Sequence, residues 1–161
     1  MRSGFATVFL LSQLLFLTLL IPALAQSHQK PVVELPSSEA AIESVLRTQQ
    51  DAWNRGDLDA FMAGYWDSPE LTFFSGATER NGWQATLDRY RAAYASPGHE
   101  MGKLEFSALR IEMLGPDAAF ARGSWHLTMS DGKTPHGLFT LVFRNFPEGW
   151  RIVHDHTSAA E

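Results

Sequence analysis

Near its C-terminus the chain reads His154-Asp155-His156, three ionisable side chains that follow Trp150, Ile152 and Val153. On a regular strand the two imidazoles share one face and the carboxylate takes the other, so no His–Asp pair forms within the motif. Two histidines on one face could ligate a metal, but a third ligand, His126 or His136, would have to come from a neighbouring strand. One packed, hydrogen-bonded histidine beside another lining a cavity accounts for the pattern without metal. No metal and no other cofactor is expected. An imidazole held in a partly apolar cavity titrates near neutrality and suits proton transfer, which makes His154 and His156 candidate catalytic residues.

Other side chains could support such chemistry. Arg122 belongs to an alternating set with Phe120, Ser124, His126 and Thr128, opposed to Ala121, Gly123, Trp125, Leu127 and Met129. One set faces the helices and the other a partner or solvent. A guanidinium facing a cavity would select a carboxylate or another planar anion, and one on the surface would pair with one of the 18 acids. Tyr65 and Trp66 close a helix, and a buried Tyr65 hydroxyl needs a partner that a pocket supplies. Trp83, Leu87 and Tyr90 lie at helical spacing and read as core.

Composition narrows the remaining classes. The 161 residues include 13 Lys+Arg against 18 Asp+Glu, for a net charge of −5, and no cysteine. Acidic balance argues against a nucleic-acid partner, which needs clustered basic residues. Without cysteine there are no disulfides, thiolate metal sites, iron–sulfur clusters or cysteine nucleophiles. No GxSxG, HExxH, glycine-rich phosphate loop or paired CxxC is present.

The elements that must position these residues follow from periodicity. Arg2 is the only charge before Lys30, Phe5 to Ile21 is almost wholly apolar, and Ala23-Leu24-Ala25 has the small-x-small pattern of a cleavage site. Residues 1–25 therefore read as a signal peptide and 26–36 as a flexible leader, with an uncleaved membrane anchor as the alternative, since the apolar run approaches the length needed to span; either places the domain (37–161) in the periplasm or outside the cell, with no membrane contact after cleavage. Removal of Arg2 brings the charge to −6.

Ser37 or Ser38 caps a first helix through Trp53, and Asp57 caps a second, shorter one stopped by Pro69. Leu71 to Ser75 reads as a strand. A third helix follows Asn81 and closes at Ser96-Pro97-Gly98. Beyond it the period becomes two. Leu104 and Phe106 alternate, and Leu109, Ile111 and Met113 alternate out of phase with them, as a bulge near Ser107-Ala108 would produce. Strands are then expected over Ala118 to Met129, His136 to Arg144 and Trp150 to Ser158. Helices first and hairpin-linked strands after them give an α+β fold with an antiparallel sheet covered on one face.

This order resembles the SnoaL-like and nuclear transport factor two-like cone folds from Glu39 to Ser158. The resemblance is carried by Gln50-Asp51-Ala52-Trp53-Asn54-Arg55-Gly56-Asp57 with Phe61 and Tyr65-Trp66, by Ala121-Arg122-Gly123-Ser124-Trp125, and by Gly149-Trp150-Arg151-Ile152-Val153-His154-Asp155-His156-Thr157-Ser158. The last stretch is similar to the branch related to the association domain of calcium/calmodulin-dependent protein kinase II. That resemblance implies a curved antiparallel sheet packed by three N-terminal helices, a cone-shaped cavity for a small ligand, and a homodimer or larger ring built through the sheet. It also implies that Arg122 faces the cavity and that Tyr65 could donate to a substrate carbonyl. Members of the superfamily include isomerases, dehydratases, cyclases, binding domains and assembly domains, so fold alone assigns no reaction.

The resulting expectation is an exported domain that binds a small, mostly apolar ligand bearing an anionic or carbonyl group. Arg122 would anchor the polar end, Tyr65, His136, His154 and His156 would orient it, and Trp53, Trp66 and Phe73 would line the cavity. Cofactor-independent isomerisation, dehydration or cyclisation, with His154, His156 and Tyr65 as the working groups, is the enzyme alternative. A purely structural oligomerisation domain is the third.

Overall fold

A computed structural model describes residues 36–160; the expected signal segment and nearly all of the leader lie outside the described residues. Helix α1 spans Ser38–Asn54, and the Ser37 hydroxyl accepts from the Ala40 amide at its start. One face of α1, with Ile42, Leu46, Gln49, Ala52 and Trp53, is buried. The i, i+3, i+4, i+7 spacing of these positions is what places them on one side. Gly56, at φ +76°, lets the chain turn, and the Asp57 carboxylate caps α2 (Leu58–Met62) by accepting from the Ala60 amide.

Strands β1 (Thr72–Ser75) and β2 (Thr78–Asn81) form a hairpin, followed by α3 (Trp83–Tyr90) and a π-helical turn over Arg91–Ala95. The four long strands are β3 (Lys103–Met113), β4 (Ala118–Thr128), β5 (His136–Phe146) and β6 (Gly149–Ala159). They make one six-stranded sheet in the order β2-β1-β6-β5-β4-β3. The architecture is α+β, three helices against a mostly antiparallel sheet.

Two details of strand content and pairing differ from the sequence reading. Strand β2 is additional: Thr78-Glu79-Arg80-Asn81 carries no apolar alternation, and it forms because it pairs with β1 at the sheet edge. The sheet is also not wholly antiparallel, because β1 runs parallel to β6, with Phe73 opposite Asp155 and Phe74 opposite His156. The connection from β1 to β6 passes through everything between them, so parallel pairing is free of the short-loop constraint that hairpins impose.

Two bulges shape the sheet. In β3 the register with β4 shifts between Ser107 and Arg110, and Ala108 adopts φ +51°. This is where the change of phase in the sequence places it. The second bulge was not expected: β6 pairs Ile152 with Phe143 but His154 with Val142, leaving Val153 as an extra residue. An extra residue reverses which face every later side chain meets.

The helices cover the concave face. The core there includes Phe73, Leu71, Ile152 and Phe143, each at most 1% exposed, and burying each such side chain contributes roughly 1.5–3 kcal/mol. Helix α1 also seals part of the free edge of β3. Asn54 Oδ1 accepts from the Leu104 amide (2.7 Å), Gln50 Oε1 accepts from the Phe106 amide (2.7 Å), and Arg47 donates to the Phe106 carbonyl (3.0 Å). Side chains thus satisfy an edge that would otherwise invite another strand. Among the described residues no helix is long and apolar enough to cross a membrane.

Candidate functional site

Between the helices and the concave face lies a cavity of about 170 Å³. Its floor is set by Tyr65 and Asp155. After α2 ends, residues 64–66 dock beside β6: the Ile152 amide donates to the Gly64 carbonyl (3.0 Å) and the Trp66 amide to the Ile152 carbonyl (2.9 Å). Gly64 is required here, because a Cβ would come within 2.5 Å of the Gln49 side chain. Gln49 in turn donates to the Phe61 carbonyl (2.9 Å), tying α1 to α2 beneath the cavity.

Docked in this way, the Tyr65 hydroxyl donates to Asp155 Oδ2 at 2.7 Å. Asp155 is 4% exposed and its Oδ1 is buried with no hydrogen-bond partner. Burial pushes this carboxyl up to about 7, against the lesser opposing pull of the Tyr65 hydrogen bond and the Arg89 charge. Tyr65 is itself raised well above its ordinary value, chiefly by burial and then by the neighbouring Asp155 charge. Near neutral pH the floor therefore holds a carboxyl that can donate or accept a proton, beside a phenol that stays neutral.

The walls are aromatic. Trp53 meets Phe61, Tyr90 and Tyr94 edge-on with centroids 5.2, 5.9 and 4.8 Å apart, and its indole N–H donates to the Met101 carbonyl (3.0 Å). Phe106 and Phe139 form a similar pair at 5.4 Å from the sheet side. Gly123 leaves room for them, since a Cβ there would lie 2.7 Å from the Phe139 ring. Half-buried Arg89 closes one side, its guanidinium 5.0 Å above the Phe73 ring and donating to Ser75 Oγ (3.3 Å).

Of the residues singled out from sequence, Trp53, Tyr65 and Phe73 line this cavity. The others lie elsewhere. Trp66 stacks on Phe146 at 5.4 Å. Arg122 is exposed on the convex face, its guanidinium 5.8 Å from the Phe120 ring, because the inward set of β4 is Ala119, Ala121, Gly123, Trp125 and Leu127. His136 is exposed, 6.0 Å from His126 between ring centroids, with Nδ1 donating to the Thr134 carbonyl (3.1 Å).

His154 and His156 are also on the convex face, so the expectation that they meet the cavity is corrected. Continuing the inward phase of Trp150 and Ile152 would bring them in, and the bulge at Val153 turns them out and Asp155 in. His154 Nδ1 shares a 2.6 Å hydrogen bond with Thr72 Oγ1, and the Phe74 ring packs edge-on against both imidazoles. Burial, and secondarily the charge of His156, lower the His154 pKa. Among the described residues no three His, Asp or Glu side chains are placed to hold a metal ion.

Sequence reasoning missed Asp155 as the cavity carboxyl and Arg89 as its cation. For Asp155 no local signal existed. For Arg89 one did: it borders the buried Thr86, Leu87 and Tyr90 of α3, where a basic residue next to an apolar stripe marks the stripe's solvent boundary.

This arrangement has counterparts among known proteins. The SnoaL-like domain family matches residues 42–161. The chain belongs to the SnoaL-like domain family. A nuclear transport factor two-like protein of unknown function from Shewanella oneidensis is 40% identical, with 73% of this chain and 96% of that one covered and a TM-score of 0.69. Two further structures share the fold alone with this SnoaL-like domain. One is a nuclear transport factor two-like superfamily protein from Salmonella enterica, at 23% identity, 77% and 92% coverage and TM-score 0.65. The other is a putative calcium/calmodulin-dependent protein kinase type II association domain from Thiobacillus denitrificans, at 24% identity, 74% and 94% coverage and TM-score 0.63. No curated protein matches the chain.

Proposed function

We propose that this SnoaL-like domain is an exported binding protein whose cavity takes one small, mostly apolar molecule with a carbonyl or hydroxyl group directed at Asp155. The observation that carries this reading is the unpartnered Asp155 Oδ1 at the floor of an aromatic-lined cavity. A buried polar atom left unpaired costs about 1–3 kcal/mol, which a ligand hydrogen bond recovers. An apolar cavity of about 150 Å³ accepts a benzene ring, so about 170 Å³ suits a single ring.

Native mass spectrometry of protein recovered from the exported fraction tests the reading. A retained molecule of one-ring mass, lost in Asp155→Leu, supports it; protein that emerges empty and binds no single-ring phenol or ketone overturns it.

Acid–base turnover is the second reading, and the titration of Asp155 near 7 favours it, because a general base works best with a pKa near the operating pH. Asp155 would remove a proton from the carbon next to a bound carbonyl, with the resulting enolate protonated again from the same carboxyl. In D₂O such a step replaces that hydrogen by deuterium, visible as loss of its proton resonance. Exchange in the wild type that stops in Asp155→Asn, with binding retained, identifies an enzyme; binding with no exchange for any enolisable ring ketone leaves binding alone.

Self-association through the convex face belongs to the same proposal. Leu138 stands 62% exposed on that face near the start of β5, a large apolar side chain of the kind that anchors an interface. Sedimentation of the wild type as a dimer and of Leu138→Glu as a monomer supports it, and a monomeric wild type at high concentration overturns it.

A further inference from the structure

Arg89 stands apart from the other charged groups near the helices. Arg47 pairs with Glu43 at 3.2 Å and Arg91 with Asp59 at 2.8 Å, both on the surface. Arg89 lines the cavity, yet among the described residues it forms no salt bridge. It is held all the same. Its guanidinium lies 5.0 Å from the Phe73 centroid and 5.4 Å from that of Tyr90, and its remaining contact is the 3.3 Å bond to the neutral Ser75 hydroxyl. A planar fork fixed over two rings is preorganised for a planar anion and loses little freedom on binding one.

Asp155 does not discharge that role. One of its oxygens is committed to Tyr65, the other has no partner, and burial keeps the group largely in its neutral form below pH 7. The cavity therefore offers two separate polar addresses: a cation at its half-buried side, and a neutral or weakly ionised carboxyl at its buried floor. Aromatic side chains line the cavity that holds both, and its volume admits one ring.

We propose that the cavity selects a single-ring aromatic carboxylic acid that carries a second, hydrogen-bonding substituent, with Arg89 taking the carboxylate and Asp155 the substituent. The proposal rests on the binding reading above and names its ligand class. Tyr65 positions Asp155 and does not itself meet the anion.

Calorimetric titration with 4-hydroxybenzoate and its neutral isostere 4-hydroxybenzamide tests this. Wild-type protein is expected to bind the acid about tenfold or more tightly than the amide, the gain of one charge-assisted pair. Arg89→Gln is expected to remove that difference by weakening the acid alone, and Arg89→Lys to restore part of it, because an ammonium keeps the charge and loses the fork. Equal affinity of the wild type for acid and amide overturns the carboxylate assignment while leaving the binding reading intact. Failure of both probes to bind overturns both. If Arg89→Gln does not fold, the wild-type comparison of acid with amide decides the matter.

Discussion

The two faces of β6 carry neighbouring residues in opposite electrostatic situations. Asp155 points into the cavity, where burial favours its neutral form. His154, next to it in sequence, points to the convex face, where partial burial also favours the neutral form. Neutrality means protonation for a carboxyl and deprotonation for an imidazole. The pH dependences are therefore opposed. With a folded pKa near 7 against 3.8 unfolded, Asp155 stabilises the fold fully below pH 4 and progressively less as pH rises through 7. His154, depressed in the fold, contributes above its ordinary value of 6.5 and loses that contribution as pH falls. One strand thus sets an acid-favoured face against a neutral-favoured one, and the concave face dominates because it is the more completely buried.

Substitutions on the two faces should separate accordingly. The largest effect is expected for Phe73→Ala, which empties a fully buried site under Tyr90 and Arg89 and should cost about 3–5 kcal/mol in urea unfolding. A cost under about 1 kcal/mol would mean that the concave wall collapses freely and is not preorganised.

Asp155→Asn keeps shape and the Tyr65 contact but removes the ionisation. The wild type should lose on the order of 4 kcal/mol between pH 4 and pH 8 through this group, and the variant should lack that loss. Parallel stability curves for the two proteins across this range would remove Asp155 from the comparison.

Tyr65→Phe leaves both Asp155 oxygens without a partner, and should cost about 1–3 kcal/mol. It also withdraws a contact that lowers the carboxyl pKa, so the pH-dependent loss should move to higher pH. Unchanged pH dependence would show that the hydrogen bond does not govern the titration.

The smallest effects belong to the convex face: Arg122→Ala and His156→Ala, both exposed, should each stay within about 0.5 kcal/mol. A cost of 2 kcal/mol or more at either would show that this face is covered in solution, which is what self-association through it requires.

The two bulges explain how much of this could be read in advance. The bulge in β3 is written in apolar residues: Leu104 and Phe106 fall in one phase, and Leu109, Ile111 and Met113 in the other, so the sequence itself records the slip. The bulge in β6 falls between Ile152 and Asp155, and the residues after it are His, Asp, Thr and Ser, which carry no hydrophobic phase. Helix caps, the helical stripes and the long strands were legible because burial enforces their periodicity. Trp53, Tyr65 and Phe73, which line the cavity, could be singled out for the same reason, as large side chains within or just beyond amphipathic elements. Strand β2 was not legible, since Thr78-Glu79-Arg80-Asn81 buries no apolar side chain and exists only through its pairing with β1. Asp155 was assigned to the wrong environment because a one-residue slip is invisible where the strand is polar.

The extra residue at Val153 also makes the chemistry of the cavity depend on strand register as well as on side-chain identity. A point substitution at position 155 trades one side chain for another in place. Deletion of Val153 would remove the bulge and leave a regular strand in which His154 still faces Val142 and Asp155 still faces Leu141, so the carboxyl would stay in the cavity. What would exchange the groups is absorption of Val153 into the ladder as an ordinary position: the same sequence without its bulge would turn the carboxyl out and both imidazoles toward the aromatic walls.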